Sequence, residues 1–61
     1  MEFDIVLRAK SSDEGGLLAS FEAQLAKLGG TATLISEVAP IRVETGDDYY
    51  FEAQRTYHVV L

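Results

Sequence analysis

From Tyr49 to Leu61, thirteen consecutive side chains alternate between two faces. Tyr49, Phe51, Ala53, Tyr57, Val59 and Leu61 share one face, with Arg55 the exception among them. Tyr50, Glu52, Gln54, Thr56, His58 and Val60 share the other. A period of two in β-branched and aromatic residues specifies a strand buried on one side. At about 3.3 Å per residue such a strand reaches near 40 Å. Whatever packs on it must cover that length or leave part of it bare.

Only one stretch can supply a helical cover. Leu18, Phe21, Leu25 and Leu28 recur at spacings of three and four, with Leu17 at the edge of the stripe and Ser20, Gln24 and Lys27 opposite. Ser11-Ser12-Asp13-Glu14 has the form of a capping box, with Asp13 and Glu14 placed to favour the positive end of the helix dipole. Gly29-Gly30 supplies the stop. These signals predict a helix over 12–28. Gly15-Gly16 in its first turn fit either a frayed turn or the close approach of another group, but they lack the pattern of a phosphate loop.

Two further strands complete the order. Residues 2–10 place Phe3, Ile5, Leu7 and Ala9 on one face and Glu2, Asp4, Arg8 and Lys10 on the other, where Val6 interrupts them. Residues 31–44 alternate up to Pro40 and resume after it, reading as one long edge strand bent by a bulge at Ala39-Pro40. Thr45-Gly46-Asp47-Asp48 is turn chemistry that makes a hairpin with 49–61. The elements are thus β1 (2–10), α1 (12–28), β2 (31–44) and β3 (49–61) in a single domain, 1–61. The expected fold is α+β, a two-layer β-α-β-β unit. One helix lies on a three-stranded, mostly antiparallel sheet of order 1-3-2, with a long β2-β3 hairpin. The expected core is Phe3, Ile5, Leu7, Leu18, Phe21, Leu25, Leu28, Leu34, Val38, Phe51, Ala53, Tyr57 and Val59.

Composition decides what holds so small a unit together. A chain of 61 residues buries only about 60% of the surface it exposes unfolded. Small folds add disulfides, a metal or a partner subunit. There is no Cys and one His, so disulfides, thiolate sites and His-rich sites within one subunit are excluded, leaving self-association. Hydrophobic content of 48% with 25% charged residues is that of a globular domain. The net charge of −5 argues against direct nucleic-acid binding, which needs clustered cations, but leaves a basic protein surface as a partner. No uncharged run approaches the roughly 20 residues of a bilayer span, and the start has no cationic signal region. A cytoplasmic protein that engages no membrane is expected.

No catalytic constellation is present, and neither an enzyme nor a cofactor is expected. His58, Thr56 and Glu52 share a strand face, yet alternate strand residues lie about 7 Å apart, too far for a relay. Asp47 and Asp48 near Glu44 lack the spacing of a calcium loop and read as a polar turn. The candidate interaction residues are therefore the aromatic and acidic tip, Tyr49, Tyr50, Asp47, Asp48 and Glu52, and the face away from the helix, Val6, Ile35, Gln54, His58 and Val60. Two readings follow. The first is a non-enzymatic, self-associating interaction module, a homo-oligomer with room for a small ligand at a subunit junction. The second is an acidic inhibitor or decoy that docks on a basic surface, itself of the nucleic-acid-binding kind.

The layout from Phe3 through Ser11-Ser12 to Glu37-Val38 resembles the dodecins, small flavin-storing proteins of sheet order 1-3-2 that assemble into hollow shells. The likeness covers most of the chain and implies a homo-oligomer. It does not extend to the flavin: there is no Trp, and Ile35 lies where the stacking indole of flavin-binding members falls. The length also resembles that of small tautomerases, whose amino-terminal proline is missing from Met1-Glu2-Phe3.

Overall fold

The computed structural model describes residues 1–61. Its elements are β1 (Glu2–Lys10), α1 (Glu14–Lys27), β2 (Thr31–Thr45) and β3 (Asp48–Val60). The three strands form one antiparallel sheet in the order β1-β3-β2, with the helix on one face. The α+β unit with sheet order 1-3-2 and a long β2-β3 hairpin is the one the alternation predicts.

Each boundary has a local cause. The helix ends in a full Schellman arrangement. Gly29, at φ +68°, donates to the Ala26 carbonyl at 3.2 Å, and Gly30 donates to that of Leu25 at 3.1 Å. Gly46, at φ +64°, is the first of the two turn residues between Thr45 and Asp48. Asp47 keeps a negative φ, the pattern of a II′-type hairpin turn. The other end of the helix departs from expectation. It begins at Glu14 rather than 12, Asp13 occupies the N-cap without a side-chain bond, and the capping box does not form. The Glu14 carboxylate is taken instead by Arg55 of β3, whose Nε lies 2.7 Å away. Beside Gly15 and Gly16 the space is open, so no group of this chain requires glycine there.

β1 runs in step with β3, from Glu2 opposite Val60 to Lys10 opposite Glu52. β2 slips twice, at Ile35 and at Ala39-Pro40. The second slip is the expected bulge. The first is not, and it turns over the side chains between the two slips. Leu34 sits beside Tyr57 on the helix side, but Val38 pairs with Gln54 on the far side. Val38 therefore leaves the expected core.

That core is thin. Only Ala53 and Val59 are buried, at 6% and 2% exposure. Ile5, Leu7, Leu18, Phe21, Leu25 and Tyr57 are half-buried, with the Phe21 and Tyr57 rings 5.4 Å apart. Phe3, Leu34 and Phe51 are exposed, and so is Leu28, at 66%, because it caps the helix end instead of facing the sheet. The reason is geometric. A 14-residue helix is about 21 Å long, while the molecule extends 43 Å along its longest axis. Its radius of gyration, 13.3 Å, exceeds the roughly 10.5 Å of a compact chain of this length.

Candidate functional site

The sheet divides into three surfaces. Beneath the helix, Phe3, Ile5, Leu7 and Ala9 of β1 pair with Val59, Tyr57, Arg55 and Ala53 of β3. Here Leu7, Leu17, Leu18 and Ala53, with the Glu14–Arg55 pair, line a shallow cleft that opens to solvent. Arg55 also reaches Glu37 of β2, with Nη2 to Oε1 at 3.3 Å. The Arg55 Nε–H makes an ion pair with Glu14 but is not aimed at the carboxylate, so it gains no hydrogen bond there. Alternation singles out Arg55 as the polar residue on an apolar face, and its two carboxylates arrive from other elements.

Beyond the helix the hairpin continues as a bare arm. On its helix side the Arg42 guanidinium lies 4.1 Å from the Tyr49 ring centre, and Tyr49 meets Phe51 edge-on at 5.8 Å. On its other side are Ile41, Val43 and Tyr50, with the Lys10 ammonium 5.2 Å from the Tyr50 ring. Tyr49 and Tyr50 thus present to opposite sides, as their alternation requires. Two of the acidic residues of the tip have local partners. Glu44 is paired with Arg42 at 2.9 Å and the Asp48 carboxylate accepts from the Tyr49 N–H at 2.7 Å, while Glu52, on the far face, lies across from Lys10.

The face away from the helix carries Val6, Val38, Ile41 and Val60 at the surface; Val6 is 47% and Ile41 53% exposed. Gln54, Thr56 and His58 lie among them on β3. Ile35, also a candidate, occupies the first bulge of β2 and is exposed. His58 does not pair with Thr56 or Glu52. Its Nδ1 lies 2.8 Å from Asp4 Oδ1 and its Nε2 3.3 Å from Glu2 Oε1, both on the neighbouring strand. Asp4 and then Glu2 raise the imidazole above its ordinary value of 6.5. Each ring nitrogen thus has a carboxylate neighbour, and no group of side chains converges as a metal site. Sequence reasoning missed Asp4 and Glu2 because strand register, not spacing along one strand, brings them to His58.

No helix is long and apolar enough to cross a membrane. Comparison with known proteins gives no match among family models, curated proteins or solved structures.

Proposed function

We propose that this protein is a small, non-enzymatic interaction module that acts as an assembly of its own copies. The observation that carries the reading is the mismatch between surface and cover. Two residues are buried while Phe3, Val6, Val38, Ile41, Tyr49 and Phe51, among others, stand exposed on both sides of the sheet. An isolated three-stranded sheet with a half-length helix lacks the burial that offsets chain entropy. Disulfides, the other common staple, have no cysteines to form them. Copies of the same chain are the cover always present at matching concentration, and two-fold contacts are the commonest way to supply it. A cytoplasmic location goes with this reading.

The same reading gives a small ligand its seat. The cleft beside the helix is shallow and by itself falls far short of a usual ligand pocket of roughly 300–1,000 Å³. A neighbouring copy would complete it.

Sedimentation across the micromolar range tests the proposal. Self-association is expected for the unmodified chain, and a shift toward smaller species is expected when Val38→Lys and Ile41→Lys place charge on the face away from the helix. A monomer at every concentration overturns it.

A further inference from the structure

The free edge of β1 is complementary to itself. Read outward from Val6, its far-side residues are Asp4 and Arg8, then Glu2 and Lys10, so opposite charges stand at equal distances from the centre. On the helix side, Ile5 and Leu7, then Phe3 and Ala9, are matched in the same way. The backbone has the right phase for pairing. Bonds at the two ends of the β1–β3 ladder, Leu61 N–H to the Met1 carbonyl and Ser11 N–H to that of Phe51, both involve the odd-numbered residues that flank β1, which sets the same phase within it. Antiparallel alternation then turns the N–H and C=O groups of Glu2, Asp4, Val6, Arg8 and Lys10 outward, unpaired within the chain.

We propose that β1 pairs antiparallel with β1 of a second copy about a two-fold axis at Val6, joining two sheets into one of six strands. In this register Val6 faces its own counterpart, Asp4 faces Arg8, and Glu2 faces Lys10, with each pair exchanging backbone bonds. The proposal rests on the self-association reading and names the edge and register that reading leaves open. Three observations point to a second copy. Arg8 has no carboxylate within ion-pair distance in its own chain, although acids outnumber bases 10 to 5. Phe3 of the helix side is 40% exposed, so the helix does not shield this edge. Asp4 and Glu2 each touch His58 through one oxygen, leaving the other for a partner. Shifting the register by two residues leaves an end charge without a partner. The opposite edge, β2, is no competitor: it carries two slips and a proline that lacks a donor.

Complementation by charge tests this. Arg8→Asp and Asp4→Arg each set like charges face to face twice per dimer. Each alone is expected to weaken dimerisation about ten- to a hundredfold. An equimolar mixture restores opposite charges at every position and is expected to recover the wild-type dissociation constant. Variants that associate as tightly alone as when mixed overturn the proposal while leaving self-association standing; a monomeric wild type removes both. Where a charge variant does not fold, Val6→Cys decides. It introduces the chain's only thiol, and the axis sets the two Cα atoms about 5.5 Å apart, within disulfide reach. A disulfide-linked dimer on mild oxidation is expected, and folded Val6→Cys protein that associates without cross-linking overturns the register. Edge pairing leaves the far face uncovered, so it responds to Arg8 and Asp4 and not to Val38 and Ile41.

Discussion

Along β2 the backbone slips register at Ile35 and again at Ala39-Pro40, whereas β1 matches β3 residue for residue from Glu2 to Lys10. Both are edge strands of one sheet, and an edge offers unpaired backbone groups to any passing strand. β2 is fenced: its bulges bend it, and Pro40 removes a donor midway. β1 keeps one register throughout, and in the proposed pairing its charges accept a copy of itself. The contrast shows how a small sheet can bar one edge from indiscriminate pairing while leaving the other open to a single register.

The largest expected effect tests whether β2 is fastened at its start. A Cβ added at Gly30 would lie 2.6 Å from Leu61 Cδ2, 2.9 Å from Leu25 Cδ1 and 3.0 Å from the Val60 carbonyl oxygen. The leucine ends can move, but the carbonyl is part of β3. Gly30→Ala is expected to cost about 1–3 kcal/mol in chemical denaturation. No loss would mean that this end of the edge is loose.

Next in size is a charge at the centre of the open edge. Val6→Lys leaves the protomer's fold unchanged because the side chain is 47% exposed. It sets two ammonium groups across the axis, and sedimentation should register dimerisation at least about tenfold weaker. Unchanged association would remove β1 from the interface.

A smaller effect is expected at the fence itself. Pro40→Ala returns a donor to β2 on an exposed stretch, with a stability change within about 0.5 kcal/mol. Light scattering should nonetheless rise with time and concentration as the second edge becomes able to pair. A variant as quiet as wild type would show that the bulges alone are fence enough.

The smallest effect concerns the tie that β1 has and β2 lacks. His58 holds Asp4 and Glu2 of β1, whereas its neighbour on β2 is Thr33. Because the folded-state value is raised, His58 stabilises the fold fully below its ordinary 6.5, and that contribution disappears as pH rises through the raised value. Thermal midpoints taken from about pH 5 to about pH 8 should fall slightly with pH in wild type. His58→Gln should flatten that slope, and an unaltered slope would assign it to other groups.

The order of elements, the sheet order and the bare arm were legible in alternation and in one apolar helical stripe. The bulge at Ile35 was not, because residues 31–39 mix apolar and polar side chains on both faces, and a slip leaves either phase equally plausible. Val38 changed sides for that reason. The capping box failed for another: Glu14 had a competing partner in Arg55, and an ion pair between elements distant in sequence leaves no local mark. His58 was singled out as a candidate, but its partners became visible only once residue 4 was known to lie across from residue 58.

Native mass spectrometry of the unmodified protein at micromolar concentration and neutral pH addresses the central claim most directly. The account predicts a discrete multiple of the 6.7 kDa chain. A spectrum holding only the single chain, from protein that circular dichroism shows to be folded, would contradict it.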